Sequence, residues 1–182
     1  VINALTDDEH PCQALADVMT ITEKLGTVKD KTITFIGDSN NVAKSLAYAV
    51  ISLGGNYNIA SPEGYQFDEN TIDYFSGLNG GDFCKFDNVA DAIKNADIIY
   101  TDVWASMGQE SEYKKRLNDF SEFQVTSSIL SKANKNVKFM HDLPAHPGEE
   151  IEEGLLYDSR SVVFDQAENR LWAQTGLMDY II

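Results

Sequence analysis

The feature that most restricts this chain is a regular exchange between two kinds of segment. Short apolar runs rich in β-branched residues read as strands: Thr32–Ile36, Asn58–Ala60, Ile98–Thr101, Val137–His141 and Val162–Phe164. Longer stretches between them carry helical spacing. Val42, Leu46, Ala49, Val50 and Leu53 fall on one helical face, and Gly54-Gly55 ends that helix. Alternation of this kind predicts an α/β fold with a doubly wound, mostly parallel sheet, helices on both faces and a Rossmann-like architecture. No repeat, low-complexity tract or linker divides residues 1–182, so a single domain is expected. Ligands of such sheets collect at the carboxyl ends of the strands.

The two ends of the chain read as helices. Pro11–Leu25 has a proline suited to a first helical turn, with His10 near the N-cap. Thr6-Asp7-Asp8-Glu9 resembles a capping box but sits too early to start that helix. The last helix is expected over Gln166–Ile182. Its apolar residues, among them Leu171, Trp172, Leu177 and Met178, are many for a free end, which implies packing against a further domain. Tyr65–Lys85 resists assignment: a helix-like Thr71–Phe75 is followed by a glycine-rich stretch from Gly77 to Gly81.

Charge narrows the range of partners. The chain has 29 acidic against 14 basic residues, a net charge of −15, and such a field repels nucleic acid. No run approaches the roughly 18 apolar residues of a membrane span, and Val1–Leu5 lacks the basic start of a secretory signal. A cytoplasmic protein with no membrane association is therefore expected. The absence of an initiator Met suggests a piece of a longer protein. Cys12 and Cys84 belong to no zinc-spaced pair, so they read as free thiols. The three histidines predict no metal site, and no cofactor is expected.

Four segments have the residue types of a ligand site. In His10-Pro11-Cys12-Gln13, a helix start offers free N–H groups, and His10 and Gln13 project together toward an anion or a developing oxyanion. Gly37-Asp38-Ser39-Asn40-Asn41 follows a strand but holds one glycine, so the GxGxxG dinucleotide fingerprint fails. Its asparagines suit a carboxylate, and Ser39 or Asn40 equally suits an N-cap. Asp102-Val103-Trp104-Ala105-Ser106-Met107-Gly108 places a carboxylate and a hydroxyl at a strand end, fit for an ammonium group or a simple turn. His141-Asp142-Leu143-Pro144 is a rigid X-Pro loop that can present carbonyls. Downstream, Arg170 offers a planar fork for phosphate or carboxylate.

In order and spacing these segments resemble the carbamoyltransferase family, most closely its ornithine-specific branch. The matching text is HPCQALAD (10–17), GDSNNVAKS (37–45), YTDVWASMGQE (100–110), HDLPAHPGEE (141–150) and VFDQAENRLWAQ (163–174). The resemblance implies an amino-acid-binding domain flanked by two interdomain helices, about 10–25 and 166–182. It also implies a trimeric parent enzyme that carbamoylates the δ-amine of L-ornithine from carbamoyl phosphate, giving L-citrulline and phosphate. On this basis His10, Gln13, Leu143 and Arg170 would meet carbamoyl phosphate. Asn41, Asp102, Ser106, Met107, Asp142 and Leu143 would meet ornithine, and His10, Asp142 and Arg170 would be catalytic.

The chain departs from the family pattern in three places. The family's Ser-Thr-Arg-Thr-Arg phosphate motif, carried by an N-terminal carbamoyl phosphate domain, does not occur here, so the 182 residues alone are expected to be inactive. Asp142 stands where the family usually has Cys, and is expected to be a permanent anion that keeps an amine protonated. Pro147 stands where many relatives have Arg. Two alternatives follow: a carbamoyltransferase for another amine such as putrescine, or a non-catalytic amino-acid-binding domain.

Overall fold

The protein is described from a computed structural model over residues 1–105 and 110–182. Five strands, β1 (Thr32–Ile36), β2 (Asn56–Ala60), β3 (Phe83–Phe86), β4 (Ile98–Thr101) and β5 (Lys138–His141), form one sheet in the order β3-β2-β1-β4-β5. Every pairing between them is parallel. Among the described residues seven α-helices accompany the sheet: α1 (Pro11–Leu25), α2 (Asn41–Ser52), α3 (Glu69–Ser76), α4 (Val89–Ala92), α5 (Tyr113–Asp119), α6 (Ser127–Leu130) and α7 (Val163–Ile181).

Alternation along the strands divides the core in two. Ile33 and Phe35 of β1, with Ile98 and Tyr100 of β4, pack on one face against Ile21 of α1 and Leu46 and Val50 of α2. Ile36, Ile99 and Phe139 point the other way, toward Val89, Phe120 and Leu130 beside α4, α5 and α6. The doubly wound arrangement read from the sequence is thus present. Strands buried on both faces need the continuous apolar runs that made them visible.

The sequence reading differs from the structure at two elements. Val162–Phe164 is not a strand. Ser161 makes only an isolated bridge to Phe139, and Val163 already begins α7. Val162 and Val163 are buried by opposite core clusters, as a strand would be, so the apolar dipeptide gave the wrong period. Conversely, β3 lies in the segment that resisted assignment. As an edge strand of four residues it carries exposed Cys84 and Lys85 and has no alternating pattern to detect. The glycines before it have a steric purpose: a Cβ on Gly80 or Gly81 would collide with the carbonyl oxygens of Ile51 and Gly55.

The floor of the sheet is pinned by Asp97. Its carboxylate accepts from the Thr32 amide (3.0 Å) and from Asn134 Nδ2 (2.9 Å), fixing the starts of β1 and β4. The opposite ends of the strands open toward the site. The order of connections reverses between β1 and β4, where the crevice of such folds lies.

Candidate active site at the strand ends

The turn after β1 begins with Gly37 at φ 147°, a backbone region that favours glycine. It leads to Asn40, which caps α2 by accepting from the Ala43 amide (3.0 Å). The same side chain donates from Nδ2 to Asp102 Oδ2 at 2.7 Å, across the gap between β1 and β4. Asp102 is buried, and its other oxygen accepts from the Val103 amide (2.7 Å). Asn41 opens α2 and donates to the Thr6 carbonyl (2.7 Å), so it ties down the N-terminal segment while Asn40 faces Asp102. Glu9, from the same segment, accepts from Ser45 of α2, and Ser45 in turn accepts from the His10 amide (2.8 Å).

β5 delivers the second carboxyl. His141 is fully buried, and its Nδ1 accepts from the Leu143 amide (2.9 Å). The proton of its ring therefore sits on Nε2, which donates to Glu150 Oε1 (3.1 Å). Leu143 has φ 60°, and its bond to Pro144 is cis. This turn directs Asp142 back toward Asp102, within hydrogen-bonding reach, and one Asp142 oxygen has no partner among the described residues. Burial, with the Asp102 carboxyl as the next cause, pushes the Asp142 carboxyl well above the usual range. The expectation that Asp142 is a permanent anion is therefore corrected. The physical reason is that the side chain is withdrawn from water and faces the Asp102 carboxyl, and both penalise its charged form.

The two end helices supply the remaining groups. His10 is the N-cap of α1 but makes no side-chain capping bond, and its buried Nδ1 has no hydrogen-bond partner among the described residues. Burial lowers its affinity for a proton, and the nearby Arg170 guanidinium lowers it further. Arg170 Nη1 donates to Gln13 Oε1 (2.6 Å), and its Nε donates to Gln174 (3.0 Å). Gln13 continues the chain of contacts, its Nε2 donating to Asp17 Oδ1 (2.8 Å). Of the residues named from the sequence, Arg170 lies on Gln13 and near His10, and Asp142, followed by Leu143, lies near Asp102, whereas the Asn41 amide is turned to the Thr6 carbonyl. Ser106 and Met107 lie outside the described residues.

Three buried residues with polar groups at this rim escaped the sequence reading: Asp17, Tyr100 and Gln166. Asp17 accepts from Gln13, from Gln166 Nε2 (2.7 Å) and from the Tyr100 hydroxyl (3.2 Å), and Gln166 Oε1 accepts from the His141 amide (2.9 Å). Burial raises the Asp17 pKa to about 7 despite these donors. The available signal was a carboxylate at an inward position of the helix, next to Ala16 and Ile21. Behind the rim, Arg116 of α5 pairs with Asp38 (2.5 Å), donates to the Trp104 carbonyl (2.9 Å) and stacks on Tyr65.

Known proteins match this arrangement closely. Residues 29–181 match the Asp/Orn binding domain of the aspartate/ornithine carbamoyltransferases, and residues 1–23 match the carbamoyl-P binding domain of the same family. An ornithine carbamoyltransferase of Psychrobacter sp. is 48% identical over the whole chain, which accounts for 58% of that relative's length. An anabolic ornithine carbamoyltransferase of Pyrococcus furiosus is also 48% identical over the whole chain, here 59% of the relative. The solved ornithine carbamoyltransferase of Pyrococcus furiosus superposes with a TM-score of 0.90 over 98% of this chain and 58% of its own. The Campylobacter jejuni anabolic enzyme does so with a TM-score of 0.90 at 31% identity, over 99% of this chain and 61% of its own. The chain therefore spans somewhat under two thirds of the relatives it matches. With the parallel sheet, the strand-end carboxyls and the flanking His10 and Arg170 all in place, the chain belongs to the aspartate/ornithine carbamoyltransferase family.

Proposed function

We infer that this chain is the ornithine-binding part of an ornithine carbamoyltransferase, a cytoplasmic enzyme whose remaining domain binds carbamoyl phosphate. The observation that carries the reading is the meeting of Asp102 and Asp142 at the ends of β4 and β5, beside His10 and Arg170 from the end helices. Two carboxyls in one buried crevice, one of them favouring its neutral form, suit an amino acid whose side-chain amine must be neutral to react. A histidine and a guanidinium next to them suit an anionic carbonyl donor. The relatives named above share that activity by name.

In this reading Asn41, Asp102, Ser106 and Met107 hold the amino-acid end of ornithine. Asp142 and Leu143 lie at its δ-amine. His10, Gln13, Leu143 and Arg170 meet the donor. The neutral amine attacks the carbonyl carbon of carbamoyl phosphate, the carbon–oxygen bond to phosphate breaks, phosphate departs, and the nitrogen loses a proton. Because Asp142 favours its neutral form, it does not hold the amine as ammonium; already protonated, it is no base, and the proton lost by the nitrogen leaves with the phosphate as hydrogen phosphate. His10, which favours the uncharged imidazole, and Arg170 offset the charge that develops on the carbonyl oxygen. Juxtaposing donor and acceptor lowers the entropic barrier, with an upper range of about 7–11 kcal/mol. No cofactor enters this scheme.

The test is citrulline formation from ornithine and carbamoyl phosphate by the longer protein that carries this chain joined to its carbamoyl phosphate domain and assembled as a homotrimer. No citrulline would refute the reading. The 182 residues alone should bind ornithine in calorimetry and form no product. A second reading is motivated by Asp142, whose extra carboxyl suits a diamine. In a panel of acceptors, stronger turnover of putrescine than of ornithine would select it.

A further inference from the structure

The loop that carries Asp142 continues into a second cluster, 146–150, which the reaction does not use. Gly148, at φ 94°, reverses the chain so that Glu149 and Glu150 come back beneath His146. The reversal is closed by the Glu149 amide donating to the His146 carbonyl (2.9 Å) and the Gly148 amide donating to the Ile151 carbonyl (2.7 Å). His146 Nδ1 then stands 4.0 Å from Glu149 Oε2 and 3.9 Å from Glu150 Oε2.

Glu150 is the informative member. Its side chain is fully buried. Oε1 accepts from His141 Nε2 (3.1 Å) and from the His146 amide (2.5 Å), while Oε2 has no hydrogen-bond partner among the described residues. A buried carboxylate oxygen without a partner is costly and calls for a compensating group. Oε2 faces His146, whose ring is half-exposed and open to incoming solutes.

We propose that His146, Glu149 and Glu150 form a binding site for a divalent transition-metal ion, with zinc(II) as the best-fitting class. One imidazole nitrogen and two carboxylates, with a solvent-facing fourth position, match the donor set zinc takes. At zinc–ligand lengths of about 2.0–2.2 Å, donors in a tetrahedron lie about 3.4 Å apart, so the two histidine–carboxylate separations of 4.0 and 3.9 Å close by about half an ångström, and all three ligand atoms already lie within 4.8 Å of one another. The supporting contacts are present: Tyr113 donates to Glu149 Oε1, and His141 and the His146 amide orient Glu150. The other histidine–carboxylate grouping, Asp102–His141–Asp142, is a poorer host because His141 Nδ1 already accepts the Leu143 amide. An ion at 146–150 would brace the loop that sets Asp142 and Leu143, whichever amine the site accepts.

Zinc(II) titrated calorimetrically into the full chain should bind with one equivalent per chain and raise its melting temperature. His146→Ala should weaken that binding by at least the roughly 10–100-fold that loss of even an outer partner costs. Glu149→Gln, at the rim of the cluster, should do the same and serves if the first variant fails to fold. Asp142→Asn and Cys84→Ser should leave it unchanged. No saturable binding, binding that survives both His146→Ala and Glu149→Gln, or binding that is lost with Asp142→Asn or Cys84→Ser would overturn the proposal.

Discussion

Where α1 packs on α7, the contact is built from buried polar groups whose partners lie far apart in sequence. Arg170 reaches Gln13, Gln166 reaches Asp17, and Asn169 reaches Thr20 (2.9 Å). At the opposite edge of the sheet, α3 and β3 are joined by rings. Phe75 packs 5.4 Å from Phe67 and 5.2 Å from Phe83 by centroid, with Tyr57 beyond. The ring cluster is non-directional and tolerates shape changes that keep its volume. The helix seam is directional, and each of its members is satisfied only if the others keep their places. Chemistry sits on the seam side, where fixed geometry matters, and the aromatic wing acts as ballast for the sheet.

The largest effect should come from the wing. Phe75→Ala should cost about 3–5 kcal/mol of unfolding free energy, the range for a buried phenylalanine truncated to a cavity. Urea denaturation measures it, and a loss below 1 kcal/mol would mean that the rings collapse into the gap. An intermediate effect belongs to the seam. Gln166→Leu strands the His141 amide and removes one donor to Asp17, so about 1–3 kcal/mol should be lost. In the longer enzyme the same variant should also raise KM for the amine, because His141 precedes Asp142. A stability loss with unchanged kinetics would separate seam from site.

Per pH unit the smallest effect is a slope in stability, and it too belongs to the seam. Asp17 titrates at about 7 in the fold, against about 3.9 when unfolded. The folded state therefore holds this proton more tightly, and the stability it contributes is present at low pH and lost as pH rises from about 4 to about 7. The slope is at most about 1.4 kcal/mol per pH unit. Asp142 acts with the same sign. Asp17→Asn should flatten the thermal melting profile across that window, and a profile identical to that of the unaltered chain would show that Asp17 is ionised throughout.

The same contrast explains what could be read in the sequence. β1, β4 and β5 are buried on both faces and announce themselves as apolar runs. The spacing of α2 and the His10-Pro11 start of α1 are local signals, and both elements stand where the residues put them, at Asn41–Ser52 and Pro11–Leu25. β3 was not legible because an exposed edge strand needs little apolar sequence. The Val162–Phe164 misreading arose because three residues are too few to tell a period of 2 from one of 3.6. In the site, His10, Asp102 and Asp142 stood out as polar residues at element ends, and Arg170 as a guanidinium within the expected last helix. Asp17 and Gln166 did not, since each is an ordinary helix residue until a partner 149 positions away meets it. The protonation preference of Asp142 was equally hidden, because it depends on burial and on Asp102.

Arg116 gives the rim a mechanical character. One guanidinium touches the turn after β1 through Asp38, the loop after β2 through Tyr65 and the segment after β4 through the Trp104 carbonyl. Three loops that would otherwise move as separate fingers are thereby stapled into a plate. A ligand that displaces any one of them must shift the others with it, so tension applied at the crevice spreads across half the mouth of the sheet.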